Sequence, residues 1–201
     1  MTQYGFFVDV SKCTGCKTCM VACKDGHFPQ PGLNLRKVRE FSGGTWRKTK
    51  EGAWKQDVFA YYVSMSCNHC DDPACVKVCP TGAHFKRKED GLVVIDTQKC
   101  IGCGMCAKAC PYGAPVLDEA AKKMRKCDGC LDRIKAGKSP LCVEACPQRA
   151  IEFGPIDELR KVHGKVDAVA PLPVGTTKPN LVLNLPKHGA KPVGSKEGQV
   201  Y

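Results

Sequence analysis

Apolar positions along the chain fall into short runs broken by turns, which predicts small strands rather than long helices. Tyr4–Val10 (YGFFVDV), Val58–Met65 (VFAYYVSM) and Ile151–Phe153 have the aromatic and β-branched content of strands. The first and last of these are candidates to pair with each other. Leu92–Ile95 follows the turn signal Glu89-Asp90-Gly91 and reads as one arm of a hairpin. Residues 26–66 hold no cysteine but contain Ser42-Gly43-Gly44 and the Val58 run, so a small antiparallel sheet is expected there. Residues 155–163 (PIDELRKVH) read as a short helix stopped by Gly164. From Ala170 onward there are five prolines and four glycines. That tail is too apolar at Leu181–Leu185 for a solvated linker and is expected to lie extended on a partner, with disorder as the other reading.

Composition narrows the class. The 201 residues allow one domain or two small ones. No apolar run approaches the roughly 18 residues of a membrane-spanning helix. The start, MTQYGFFVDVSKC, lacks both a basic region followed by an apolar one and a twin-arginine pair. The expectation is that any route across a membrane is borrowed from a partner. The chain has sixteen cysteines. They fall into four tight groups, and neighbours two or three residues apart converge on one point instead of stapling distant segments. That argues against a disulfide scaffold and for metal.

Group one is CTGCKTCMVAC, with Cys13, Cys16, Cys19 and Cys23. Group two is CNHCDDPACVKVCP, with Cys67, Cys70, Cys75 and Cys79. Group three is CIGCGMCAKACP, with Cys100, Cys103, Cys106 and Cys110. Group four opens with Cys127 and Cys130 and closes with Cys142 and Cys146. Groups one and three match the bacterial ferredoxin run Cys-x-x-Cys-x-x-Cys-x-x-x-Cys. Three cysteines on a tight loop reach three corners of a cubane, and Gly15, Gly102, Gly104 and Gly129 supply positive φ inside these loops. Proline after the last cysteine (Pro80, Pro111, Pro147) favours an extended residue there; group one has Lys24 instead. Tetrahedral zinc needs two Cys-x-x-Cys pairs and gives no reason for the third and fourth members of each run. Four 4Fe–4S clusters are expected.

Two cluster arrangements suit these groups. In two-cluster ferredoxins the fourth cysteine of a run ligates the other cluster. On that pattern residues 67–110 form an inner module, with Cys67, Cys70, Cys75 and Cys110 on one cluster and Cys100, Cys103, Cys106 and Cys79 on another. Residues 1–25 and 111–165 then form an outer module split by the inner one. Its sets are Cys13, Cys16, Cys19 and Cys146, and Cys127, Cys130, Cys142 and Cys23. In the other arrangement each group holds its own cluster. The expected fold is α+β: two nested ferredoxin-like modules, a small β insertion at 26–66 and an extended tail at 166–201. The four residues between Cys70 and Cys75 and the eleven between Cys130 and Cys142 are either docking surface or tolerated loop drift.

Charge then changes meaning. The formal net charge is +11, which by itself suggests nucleic acid. Four thiolates on an oxidised core leave about −2 per site. The oxidised protein then carries about +3, and one electron per cluster takes it to about −1. Lys12, Lys17, Lys24, Lys77, Lys99, Lys108, Lys126 and Arg149 lie within three residues of a cysteine, as internal compensation requires, although several are expected to be ordinary solvated side chains. No nucleic-acid partner is therefore expected. Trp46 and Trp54 read equally as partner anchors or as filling for a small core. His69 lies between two cysteines and reads as a loop residue before a cluster-tuning donor. No nucleophile triad, phosphate loop or acid–base carboxylate pair is present, so no catalytic residue and no direct small-molecule substrate are expected.

With these groups in place, the segments YGFFVDVSKCTGCKTC, VFAYYVSMSCNHCDDPACVKVCP, CIGCGMCAKACPYGAP, KCDGC and FGPIDELRKVHG with its APLP continuation resemble the iron–sulfur subunit of the dimethyl sulfoxide reductase family. The resemblance implies an electron-transfer subunit, itself non-catalytic, in a three-subunit complex. A membrane anchor oxidises menaquinol, this chain relays electrons through four 4Fe–4S clusters, and a molybdopterin subunit reduces dimethyl sulfoxide or a related S- or N-oxide. It also implies the nested pairing. The expected location is the periplasmic face, reached through a partner's twin-arginine signal, with the cytoplasmic face as the alternative. The same relay serving thiosulfate, polysulfide, selenate or formate, and a free soluble ferredoxin, are the competing readings.

Overall fold

The computed structural model describes residues 2–27, 30–173, 175–186 and 190–201. Strand β1 (Tyr4–Asp9) leads into the first cysteine loop and helix α1 (Thr18–His27). Strands β2 (Lys37–Gly43), β3 (Trp46–Lys48), β4 (Trp54–Gln56) and β5 (Phe59–Met65) follow. The middle of the chain alternates short helices with hairpins: α2 (Ala74–Lys77), β6 (His84–Lys86), β7 (Val93–Ile95), α3 (Met105–Ala109), β8 (Val116–Asp118) and β9 (Lys123–Arg125). Helices α4 (Leu131–Lys135) and α5 (Leu141–Glu144), strand β10 (Ile151–Pro155) and helix α6 (Ile156–His163) come next. Strands β11 (Leu181–Asn184) and β12 (Gly198–Val200) complete the α+β, ferredoxin-like architecture that the sequence leads one to expect.

Proline accompanies the end of three short helices. Cys79, Cys110 and Cys146 each precede a proline, and α2, α3 and α5 stop at four or five residues. Cys110 is extended, with φ −80° and ψ 114°, because a residue before proline is pushed out of the helical region. Group one has Lys24 in that place, and α1 runs on for ten residues, carrying both Cys19 and Cys23.

Strand β1 is the spine of the core. It lies between β10, antiparallel with Val8 opposite Ile151, and β11, parallel with Val8 opposite Leu183. The pairing expected between the Tyr4 and Ile151 runs is therefore present. Alternation sends Phe6 and Val8 into the main core and Phe7 to the other face, against Ile156 and Leu159 of α6. The expected helix at 155–163 thus covers the back of this sheet.

The tail departs from expectation. Its apolar stretch is extended, but it lies on this chain's own body, as β11 beside β1, with Leu181, Val182 and Leu183 all buried. Its end, β12, pairs with β2, the central strand of the sheet β12-β2-β5. A buried spine strand with one unpaired edge would leave backbone donors and acceptors without partners, and the tail satisfies them. The region after α1 does contain a small antiparallel sheet, with β2 paired to β5. Trp46 and Trp54 stand exposed on the separate β3–β4 hairpin, so neither fills a core.

Candidate iron–sulfur centre

The loops carry the cysteines inward through positive-φ glycines. Gly15 has φ 71° and Gly102 φ 70°. At Gly15 a Cβ would lie 2.5 Å from the Tyr62 ring, so the loop sits pressed beneath β5. Backbone N–H groups then point at sulfur: Gly102 at Cys100 Sγ and Gly129 at Cys127 Sγ, both at 3.4 Å. Ala150 N donates to Cys146 Sγ at 3.3 Å and His84 N to Cys79 Sγ at 3.4 Å.

The fold brings cysteines from different runs beside one another. Cys13, Cys16, Cys19 and Cys146 line one pocket, floored by Val38 and Ile151. Cys23 faces Cys127, Cys142 and Cys130; burial, then the neighbouring thiolates, pushes its thiol well up. Burial pushes Cys70 up to about 11 and Cys75 up to about 12, and for both the nearby thiolates are Cys67 and Cys110. Cys106 is pushed up to about 11 by burial and by Cys100 and Cys103, and Cys79 packs in the same apolar cluster as Cys100 and Cys106. Thiols this buried and this close to one another ionise only when cationic metal offsets the cost.

The residues fit 4Fe–4S clusters. The donors are all soft sulfur, all sixteen are free thiols, and eleven of them pack in apolar clusters. One tetrahedral zinc ion would need sulfurs about 3.8 Å apart, from Zn–S bonds of about 2.3 Å. Among the described residues no group of three or more histidine, cysteine or carboxylate side chains is placed to hold a single metal ion.

Several contacts reach these sulfurs from far away in sequence. Thr177 Oγ1 donates to Cys70 Sγ at 3.2 Å, Ser64 Oγ lies 3.3 Å from Cys19 Sγ, and His27 Nε2 lies 3.3 Å from Cys130 Sγ. The four-residue insertion in group two is covered by the chain's own tail: Asp71 N donates to Lys178 O and Asp72 N to Thr177 O. Sequence spacing gives no sign of any of these. His69 is fully buried at φ 45°, and its Nδ1 accepts from Val93 N at 3.0 Å. Its carbonyl accepts from Asn180 Nδ2 at 2.9 Å, so His69 is a loop residue, as expected, and within that loop a buried structural hub.

Three of the seven lysines near cysteines pair with carboxylates. Lys12, Lys77 and Lys99 are exposed and pair with Asp9, Asp72 and Asp96. Lys126 is the exception; it is buried, with its ammonium on the Cys127 and Val93 carbonyls. A second buried cation, Arg36, lies thirteen positions beyond Cys23 in sequence and so escapes a search by adjacency.

Comparison with known proteins agrees with this chemistry. A 4Fe-4S dicluster domain matches residues 58–156, and a second 4Fe-4S dicluster domain matches residues 12–83. The B subunit of anaerobic dimethyl sulfoxide reductase from Escherichia coli (strain K12) is 58% identical over 198 residues, covering 98% of this chain and 95% of that protein. The corresponding B subunit from Haemophilus influenzae is 52% identical, covering 94% and 92%. The thiosulfate reductase electron transfer subunit of Salmonella typhi is 38% identical, covering 78% of each.

Proposed function

This chain belongs to the four-cluster iron–sulfur family that includes the B subunits of anaerobic dimethyl sulfoxide reductase, and from that premise we propose that it is the electron relay between two larger partners. One is a membrane anchor that oxidises menaquinol. The other is a molybdopterin subunit that reduces dimethyl sulfoxide or a related S- or N-oxide. The relay itself makes and breaks no bonds. The thiosulfate relatives share the framework at lower identity, which favours the sulfoxide reading.

The proposed ligand sets are Cys13, Cys16, Cys19 and Cys146; Cys127, Cys130, Cys142 and Cys23; Cys67, Cys70, Cys75 and Cys110; and Cys100, Cys103, Cys106 and Cys79, and the thiols that lie near one another support them. These crossed sets support an inner module at 67–110 nested in an outer one made of 1–25 and 111–165. Each bound cluster supplies a one-electron site whose potential is set by charge, hydrogen bonds and exposure.

What supports the reading most is a set of links between thiols of the proposed quartets. Cys19 lies beside Cys142, joining the first to the second. Cys127 lies beside Cys67, joining the second to the third. Cys75 shares an apolar cluster with Cys100 and Cys106, joining the third to the fourth. Exposure is concentrated at the ends: Cys16 and Cys103 are the two exposed cysteines, and the second quartet is wholly buried. A buried middle excludes water, and two open ends suit two different partners.

Among the described residues no helix is long and apolar enough to cross a membrane, so the reading places the chain at a membrane surface through its anchor. We assign it to the periplasmic face; protection from external protease in intact spheroplasts would reverse that assignment. The relay is tested by iron, acid-labile sulfide and zinc analysis of anaerobically purified protein. About sixteen irons and sixteen sulfides per chain are expected. Stoichiometric zinc with little iron overturns the proposal.

A further inference from the structure

Arg36 is the most deeply buried charge in the molecule that has no carboxylate to answer it. Only 2% of its surface is exposed, and among the described residues no aspartate or glutamate forms an ion pair with it. Its guanidinium donates to Ser64 O at 3.3 Å, Ser64 Oγ at 3.1 Å and Ser66 Oγ at 2.9 Å, and it lies 4.7 Å from the centre of the Phe6 ring. These partners are neutral. They fix the orientation of the group and leave its charge unbalanced.

An arginine does not escape burial by losing its proton, so a guanidinium without a counter-charge carries a heavy desolvation cost. The anions around this one are thiolates. Those its charge acts on are Cys142, Cys127, Cys19 and Cys23, and Cys142 is within hydrogen-bond reach of it. Those four cysteines come from two quartets: Cys19 from the first, the other three from the second. Ser64 adds a second route, because the hydroxyl that accepts from Arg36 lies 3.3 Å from Cys19 Sγ.

We propose that Arg36 is the shared counter-ion of the first two quartets and raises the electron affinity of both clusters held there. The inference rests on the ligand sets proposed above. Its physics is that of any fixed charge beside a redox centre: reduction adds a negative charge, and a cation held nearby in a poorly screened interior stabilises the reduced form more than the oxidised one. Because one guanidinium acts by its charge on thiols of both quartets, and reaches Cys19 through Ser64, its loss acts on two clusters and spares the other two. Loosened packing would have no reason to act so selectively.

The test is an EPR-monitored redox titration of the assembled complex carrying Arg36→Gln, Arg36→Lys, or Arg47→Gln as a remote surface control. In Arg36→Gln, two of the four clusters are expected to become harder to reduce by about tenfold or more in equilibrium constant, a fall of about 59 mV or more for one electron. The other two clusters stay in place, and Arg36→Lys restores most of the shift. Four unchanged potentials in Arg36→Gln, or four potentials moving together, overturn the proposal. Should Arg36→Gln fail to retain iron, Arg36→Lys decides: retention with near-normal potentials upholds the need for charge, and loss of iron there too overturns it. Failure of the relay reading itself is separate, since it appears as missing iron and sulfide in the unsubstituted complex.

Discussion

Replacing Leu183 by alanine tests whether the tail belongs to this chain or to a partner. Leu183 is 1% exposed and sits opposite Val8 in the parallel pairing of β11 with β1. Its side chain faces the main core with Phe6, Val8 and Ala150, while the adjacent Val182 faces α6. Truncating a fully buried leucine loses its transfer free energy and leaves a cavity, a cost of about 2–5 kcal/mol. Taking ~3 kcal/mol and roughly 2–4 °C per kcal/mol for a chain of this size, the thermal midpoint falls by about 6–12 °C. The assay is loss of the clusters' visible absorbance on heating anaerobic protein, with Val162→Ala as the exposed control. A midpoint within about 2 °C of the parent in the purified chain, together with failure to assemble into the complex, would refute the reasoning. The tail would then be a partner's segment that folds back only when the partner is absent.

Two further substitutions test the loop and its entry. Gly15→Val forces a branched side chain onto a residue at φ 71° and into the Tyr62 ring, so one cluster is expected to be lost and iron to fall from about sixteen to about twelve per chain, read by metal analysis. Asp9 lies just before the first cysteine loop, and its Oδ1 accepts from Ser11 N, Ser11 Oγ, Lys12 N and Asn184 Nδ2. Burial opposes its ionisation, but the bonds from Ser11 and Asn184 and the charge of Lys12 outweigh burial and hold its pKa below 3.8. A carboxylate depressed in the folded state contributes stability in full above its unfolded pKa and loses that contribution as pH falls through the lower folded value. Asp9→Asn should therefore cost about 1.5–3 kcal/mol near neutrality, with the gap to the parent narrowing below about pH 4 in paired thermal scans; a gap independent of pH refutes the assignment.

The chemistry of this protein was legible because it is local. Cysteines two residues apart on one tight loop must face the same point, glycines inside such loops take positive φ, and a proline after the last cysteine ends the local turn. Gly15, Cys110 and the ten-residue α1 all obey those short-range rules. The Tyr4 and Ile151 strands were legible for a similar reason, as runs too apolar to face water on either side. Leu181–Leu183 carried the same apolar signal, but periodicity says only that a segment must be covered, not by what. Which surface covers it depends on β1 having an open edge, and that exists only once the chain is folded. Arg36 makes the same point in charge: its local sequence resembles that around Arg39 and many other basic residues, yet the folded chain seals it among cysteines numbered 19, 23, 127 and 142. Sequence by itself determined the donors, their number and the metal chemistry they serve. The tail's seat beside β1, the neighbours each thiol meets and the burial of Arg36 come from contacts between residues as many as 175 positions apart, and only tertiary structure decides those.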